Sequence, residues 1–491
     1  MPLAQADSLL RGNAWPRRRS HKRPPRFDDD ATDAAVEEAP IPSAAPCVRC
    51  RASAEGIGTF WHATDWHLNE FEPSSPSPCD MCRSTIVGTE CAERAGPFGH
   101  PDCDPSTGGW QEAIAMMRRE QPTPDFILAG GDWIGHIPES RLNPPALLSA
   151  AVLLNRLLSD HFAGVPVMHT VGNHDTWPYF SLAPVFMDWD RAFEKSQGNE
   201  WVRATFPGKA RTHWQQHGYY ARRLSRRLWG ISLNTNELSK TDGGQQLDWL
   251  RTMLDRMRQD RQTAILLGHI PPGPSHFEFD SICAAGHYYQ RAGGACWNPM
   301  AQSGLLALLA AYADVVPNSF FGHHHTSSLR VVYNSSAAAR HVMYLSPSLT
   351  PRNPTHDPAV RLYYYNRSSG AVVDFVDYSH DLRQSNAAGR INWRVEAALR
   401  KAPLNLSSLS AVAWESAARR MLEYDHAPQS QRELDPHDPF LSWMSSERCK
   451  MEVYIASGDS RVPPLRRCKL AVLCPMLHLE DAPYAQCLGV R

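Results

Sequence analysis

"DFILAGGD", residues 125–132, places an apolar run, two glycines and a carboxylate in direct succession. A short apolar run closed by glycine is the pattern of a strand buried on both faces, as in a parallel sheet. The closing Asp132 is then either an ordinary loop residue or a group placed at a strand end for chemistry. Repetition separates the two readings. "GIGTFWHATD" (56–65), "VPVMHTVGNHD" (165–175), "RLWGISLNTN" (227–236), "TAILLGH" (263–269) and "NSFFGHHH" (318–325) share the design. Most of these runs end in Asp, His or Asn. Between them, "QEAIAMMRREQ", "PALLSAAVLLNRLLSDHF", "GGQQLDWLRTMLDRMRQD" and "SGLLALLAAYADVV" carry helical periodicity. Strands alternating with helices predict an α/β core, and polar residues at the carboxyl ends of such strands predict its site.

Around that core the chain is uneven. Residues 1–52 are rich in Pro, Arg, Asp and Ala and poor in large apolar side chains, which predicts a disordered tail. Residues 53–380 hold the alternating pattern and form the expected catalytic domain. "HVMYLSPSLT" and "VRLYYYN…GAVVDFVDY" add later strands, the last two as a hairpin. Residues 381–491 read as a helical C-terminal domain, with "INWRVEAALRKA" and "LSAVAWESAARRMLEY" as helices and a closing group of cysteines. Net charge is −1, so no global field recruits nucleic acid, and a nucleic-acid partner is not expected. No apolar window is long enough for a membrane span, which leaves at most peripheral membrane contact. The chain is expected to be a monomer.

Twelve cysteines are unusual for a reducing compartment. They cluster as Cys79, Cys82, Cys91 and Cys103, then Cys283 and Cys296, then Cys449, Cys468, Cys474 and Cys487, with Cys47 and Cys50 apart. Even-numbered groups suggest disulfides, while the C-x2-C spacing of Cys47/Cys50 and Cys79/Cys82 also fits structural zinc. Sequons at Asn334, Asn366 and Asn405 are candidate glycosylation sites. Together these point to a secreted or lysosomal protein. The N-terminus carries no recognisable signal peptide; a truncated or misassigned start reconciles the two.

The polar strand ends are Asp65 and His67, Asp132, Asn173 and His174, His269, and His323 with His325. In extended chain, residues i and i+2 face the same way. Asp65 and His67 can therefore converge on one ion, as can His323 and His325, while His324 points away. Carboxylate, imidazole and amide oxygen without thiolate suit Zn, Mn or Fe. With His174 set aside, the remaining seven side chains are too many for one tetrahedral ion and suit two ions with a shared carboxylate. Two such ions can hold both oxygens of a phosphoryl displacement and lower the pKa of a water to about 7. His136 and His174 remain as candidate proton donors to the leaving oxygen. Asp175 either orients His174 from outside the ligand set or caps a helix start. His62 and His169, inside strand runs, read as core or supporting residues.

The order D-x-H, GGD, GNHD, GHIPPG and GHHH resembles the calcineurin-like metallophosphoesterases. Within them the chain is similar to the acid sphingomyelinases and acid sphingomyelinase-like phosphodiesterases. "GHIPPG" at His269, "LNTNE" at Asn234, "LSPSLTPRNP" ending at Pro354 and the tail "CKLAVLCPMLHLEDAPYAQC" carry that likeness over roughly residues 55–490. The resemblance implies an α+β or α/β fold: a β-sandwich flanked by helices in four αββα layers, with a helical, disulfide-rich C-terminal extension. It implies a phosphodiester hydrolase that uses a metal-activated water and two divalent ions, taken as Zn²⁺. The substrate would be sphingomyelin, a phosphocholine-bearing molecule or a nucleotide-type diester.

Carried across, the family pattern gives one ion to Asp65, His67, Asp132 and His325. The other goes to Asp132, Asn173, His269 and His323, with His136 and His174 catalytic. It also implies the pairs Cys91–Cys103 and Cys474–Cys487, and more loosely Cys79–Cys82, Cys283–Cys296 and Cys449–Cys468. About 50 unpatterned residues precede the catalytic domain, too few for the saposin domain of acid sphingomyelinase itself, so the likeness leans toward the sphingomyelinase-like phosphodiesterases. Alternatives are a phosphomonoesterase of the same superfamily or a non-catalytic binding protein on the same fold. A purple acid phosphatase needs a tyrosine where this chain has Gly135, and a binding protein would have lost ligands. An intracellular nuclease fits poorly with the cysteines and the charge.

Overall fold

The structure, a computed structural model, describes residues 56–68, 95–100, 104–137, 144–182, 186–274, 297–351, 357–396, 406–423, 470 and 473–488. The expected tail, ten of the cysteines and Asn405 lie outside these residues. The strands in chain order are β1 (Ile57–Ala63), β2 (Phe126–Ala129), β3 (Val167–His169), β4 (Tyr220–Arg223), β5 (Leu228–Ser232), β6 (Thr263–Leu267), β7 (Asn318–Phe321), β8 (Ser328–Tyr333), β9 (Ala339–Leu345), β10 (Ala359–Asn366), β11 (Val372–Ser379) and β12 (Arg394–Glu396). They form two mixed six-stranded sheets, ordered β12-β11-β10-β1-β2-β3 and β4-β5-β6-β7-β9-β8. β1, β2 and β3 run parallel in the first, and β5, β6, β7 and β9 in the second.

The apolar runs are continuous because each parallel strand is buried on both faces. In β6, Ile265 and Leu267 face the space between the sheets, while Ala264 and Leu266 face the helices Gly244–Gln259 and Pro299–Ala311. β7 divides the same way, Phe320 inward and Phe321 outward. The inter-sheet layer is aromatic. Phe60 of β1 stacks on Phe126 and Tyr363 at 4.6 and 5.0 Å and meets Phe320 of the second sheet edge-on at 5.2 Å. Helices Thr107–Glu120 and Pro144–His161 supply Trp110, Ile114, Met117, Leu154 and Leu158 to the first sheet's side of this core. The layers therefore run helix, sheet, sheet, helix. Each such large buried side chain is worth roughly 1.5–3 kcal/mol of transfer free energy.

The hairpin expected at residues 360–378 forms as β10–β11. The stretch read as helix, "INWRVEAALRKA", begins instead as β12, pairing antiparallel with β11 from Ser379↔Arg394 to Asp377↔Glu396. An available sheet edge outweighs the helical preference of the residues that follow. Helix Ala411–Glu423 joins the main core, with Trp414 Nε1 donating to Tyr344 Oη at 3.3 Å. Cys474 and Cys487 form a disulfide, with Cα atoms 5.8 Å apart. Asn334 and Asn366 sit at the turns of the β8–β9 and β10–β11 hairpins, their Oδ1 atoms accepting turn amides. Among the described residues, no helix is long and apolar enough to cross a membrane.

Candidate metal centre

The polar residues follow the carboxyl ends of β1, β2, β3, β6 and β7, so both sheets deliver side chains to one end of the sandwich. Backbone pairing continues past the strands and keeps these loops in register: Asp65 and His67 amides donate to the carbonyls of Gly131 and Asp132 at 3.1 and 2.9 Å, and Gly322 donates to His269 at 3.0 Å. The conformation is not extended, however. Asp65, His67, Asp132, His323 and His325 all have positive φ, between 38° and 67°. For residues with a Cβ this conformation is costly and concentrates at functional sites. It also undoes the i, i+2 argument for the histidine run. His323 groups with Asp132 and His269, whereas His325 groups with His67 and His136. His324 is turned toward the Arg330 guanidinium, 3.5 Å from its Nδ1.

Among the described residues, three sets of donor atoms could hold an ion: Asp65, His67 and Asp132; Asp132, His269 and His323; and His67, His136 and His325. Asp132 belongs to two of them. Its Oδ2 lies 3.1 Å from His269 Nε2 and 3.5 Å from His67 Nε2. Asp65 Oδ1 lies 3.4 Å from His325 Nε2 and 3.8 Å from His269 Nε2. Asn173 Oδ1 is buried without a hydrogen-bond partner, as suits an amide oxygen kept for a cation.

The tautomers sharpen this. His67 Nδ1 is 3.0 Å from the Ile134 carbonyl, and His269 Nδ1 is 2.7 Å from that of Gly130. A carbonyl only accepts, so Nδ1 carries the proton in both rings and Nε2 faces the centre. Burial and the neighbouring His136 hold His67 well below the usual histidine range, so its Nε2 is a bare lone pair. That lone pair is directed at two carboxylates and, at 3.2 Å, at His325 Nε2. Such contacts repel one another unless a cation sits among them. In His269, burial opposes the charge, but the Asp132 and Asp65 carboxylates outweigh it and push the ring up to about 10. A divalent ion answers the same two carboxylates. His323 is kept neutral, down at about 3, by burial and then by His269. The donor set therefore fits divalent metal ions, with oxygen and imidazole ligands.

His136 and His174 flank this cluster. His136 stacks on His67, with centroids 3.8 Å apart, and lies 4.6 Å from the His174 ring. Asp104, fully buried, accepts from the His136 amide at 2.8 Å and meets its Nδ1 at 2.7 Å. Thr350 Oγ1 donates to the same carboxylate at 2.9 Å. This fixes the His136 proton on Nδ1 and turns Nε2 to the centre. The His174 amide donates to Asp132 Oδ1 at 2.8 Å, which places its ring beside the metal-binding groups. Asp175 is occupied with backbone. Its carboxylate accepts from the amides of Asp132, Trp133 and Gly172, each at 2.7 Å, and so ties the β2 and β3 loops together. Burial first, and then Asp132, raise it to about 7. Of its two expected roles, the capping geometry is the one these bonds express. His62 meets Ser346 Oγ at 2.7 Å between the sheets, and His169 packs against Trp133 and Phe193.

The glycines before the ligands are there for space. A Cβ on Gly172 would lie 2.0 Å from Asp132 Oδ1, and one on Gly322 would lie 2.5 Å from Asp65 Oδ2. Gly172 has an ordinary φ of −89°, so Gly172→Ala acts by steric push alone. We expect it to lower bound metal and to slow hydrolysis by about 10²-fold, as a misplacement of about 1 Å does, with the far-ultraviolet spectrum unchanged. Metal analysis beside circular dichroism checks this; full metal content would show that Gly172 does not hold the ligands in place.

The calcineurin-like phosphoesterase family model matches residues 58–327. The chain is 25% identical to the mouse "Acid sphingomyelinase-like phosphodiesterase 3b" (Mus musculus), over 88% of this chain and 90% of that one. It is 24% identical to the human "Cyclic GMP-AMP phosphodiesterase SMPDL3A" (Homo sapiens), with the same coverages. It is 27% identical to "Sphingomyelinase phosphodiesterase C" of Dictyostelium discoideum, over 69% of this chain and 76% of that one.

Proposed function

Because the chain belongs to the calcineurin-like phosphoesterase family and is a metal-dependent phosphodiesterase, we propose that it works with two divalent ions, taken as zinc, on a diester with an alcohol leaving group. The relatives' names cover sphingomyelin-type and cyclic dinucleotide substrates, and this chain is assigned to the same range, phosphocholine-bearing diesters included. The observation that carries the reading is the place of Asp132 in two donor groups at once. Asp65, His67, Asp132 and His325 would hold one ion, and Asp132, Asn173, His269 and His323 the other. Bound there, the ions supply Lewis acidity toward phosphoryl oxygens and activation of a water.

The chain's own groups do the rest. His136, its Nδ1–H held by Asp104, acts as the imidazolium and donates Nε2–H to a phosphate oxygen. His174, beside Asp132, gives a proton to the leaving oxygen as the P–O bond breaks. Asp104→Asn removes the carboxylate charge and turns one of the two oxygens that hold the His136 amide and Nδ1–H into a donor. A drop in kcat of about 10²-fold with metal retained is expected, read from steady-state kinetics beside metal analysis; an unchanged kcat would discard the role. The Cys474–Cys487 disulfide and the sequons at the hairpin turns of Asn334 and Asn366 support a secreted or lysosomal setting. The substrate class is tested by comparing bis(p-nitrophenyl) phosphate, p-nitrophenyl phosphocholine and p-nitrophenyl phosphate. The two diesters should be cleaved faster than the monoester. Preference for the monoester would convert the reading to a phosphomonoesterase.

A further inference from the structure

The stretch after His174, residues 176–182, folds back on itself. Phe180 N donates to Asn173 O at 3.0 Å, Ser181 N to Thr176 Oγ1 at 2.9 Å, and Ser181 N to Pro178 O at 3.0 Å. This brings the Tyr179 ring against the His174 imidazole, with centroids 4.2 Å apart and planes at 55°. The Tyr179 hydroxyl reaches the other way. It donates to the Ile137 carbonyl at 2.5 Å, one residue beyond His136. One side chain therefore touches one flanking histidine and ties down the loop that carries the other. His136 is held from its far side by Asp104, and its ring stands 4.6 Å from that of His174.

From these contacts we infer that Tyr179 is a positioning residue for the proton-transfer step: it fixes the His174 ring, and through Ile137 it keeps the two imidazoles in register. The inference rests on the proposed phosphodiesterase reading. In that step a hydroxide derived from water bonds to phosphorus while the P–O bond to the leaving group breaks with its electron pair on the departing oxygen. An N–H proton of the His174 imidazolium moves to that oxygen, giving an alcohol and a neutral imidazole. A poor leaving group such as an alkoxide depends on this proton; p-nitrophenolate hardly does. Misalignment of the imidazole should therefore appear selectively, in the substrate that needs the proton.

The test uses full-length wild type, Tyr179→Leu and Tyr179→Phe. Each is assayed on bis(p-nitrophenyl) phosphate and on an alkyl diester, either sphingomyelin in detergent micelles or a dinucleoside phosphodiester, whichever wild type cleaves faster. Tyr179→Leu should lose about 10²-fold in kcat on the alkyl diester, the cost of a misplaced catalytic group. On bis(p-nitrophenyl) phosphate it should lose no more than about 3-fold, because little general-acid assistance is withdrawn there. KM and metal content should hold. Tyr179→Phe keeps the ring and loses only the tie to Ile137, so its selective loss should be intermediate. Equal losses on both substrates, or none on either, would overturn the inference. Should the leucine variant fail to fold, the phenylalanine variant decides alone, by whether its loss is confined to the alkyl diester. Wild type that cleaves neither substrate would instead overturn the phosphodiesterase reading.

Discussion

Asp132→Ala is expected to yield a folded protein that retains no metal and has lost about 10⁴-fold or more of its hydrolytic rate. Several kcal/mol of transition-state charge stabilisation leave with the ions, at 1.36 kcal/mol per tenfold. The reason is position. Asp132 Oδ2 is within 3.5 Å of the Nε2 atoms of both His269 and His67, and its Oδ1 accepts from the His174 amide. Burial works against a charge there, but the His269 and His174 imidazoles outweigh it and hold the carboxyl well below the usual carboxylate range. Alanine removes the shared ligand and leaves His269, His67 and Asp65 without their common neighbour. Metal analysis of the purified variant, with circular dichroism as a control for folding, reads the outcome. Retention of metal at the wild-type level would show that Asp132 bridges nothing.

His174→Ala should behave in the opposite way as to metal. Its imidazole stands outside the donor groups around Asp132 and Asp65, so metal content should stay at the wild-type level while kcat on an alkyl diester falls about 10²–10⁴-fold, the range for general acid–base catalysis. His136→Ala is the informative partner, because His136 comes as near to His67 and His325 as a ligand would. With Asp104 holding Nδ1, its role is expected to be the phosphate contact, so that variant too should keep its metal. Loss of metal from either variant would move that histidine from proton and phosphate chemistry into the ligand set.

The strand ends are readable because burial leaves a sharp trace. Leu-, Ile- and Phe-rich runs that stop at Gly and then Asp, Asn or His seldom recur in one chain unless buried strands are delivering polar groups to a common edge. Gly172 and Gly322 are glycines for a steric reason the pattern itself contains. The left-handed backbone of Asp65, His67, Asp132, His323 and His325 leaves no such trace. Extended-chain spacing therefore pairs His323 with His325, where the loop separates them. Asp104 escapes sequence reading for a different reason. It follows no apolar run, and its contact with His136 spans 32 residues and depends on where the loop before the helix Thr107–Glu120 is packed. Thr350 and Ser348, which hold Asp104 and the His325 carbonyl, stand in the "LSPSLT" stretch, whose family likeness says nothing of its bonds. Tyr179 sits in a loop whose fold depends on tertiary hydrogen bonds. β12 reads as helix because local helical preference cannot see the open edge of β11.

The most direct test is the metal stoichiometry of the full chain, measured together with hydrolysis of bis(p-nitrophenyl) phosphate before and after chelation. A shared-carboxylate centre predicts two divalent ions per chain, loss of cleavage when they are removed, and recovery when zinc is returned. A protein that binds no divalent metal, or binds it and cleaves neither this ester nor p-nitrophenyl phosphocholine, would contradict the assignment of the centre to phosphodiester hydrolysis.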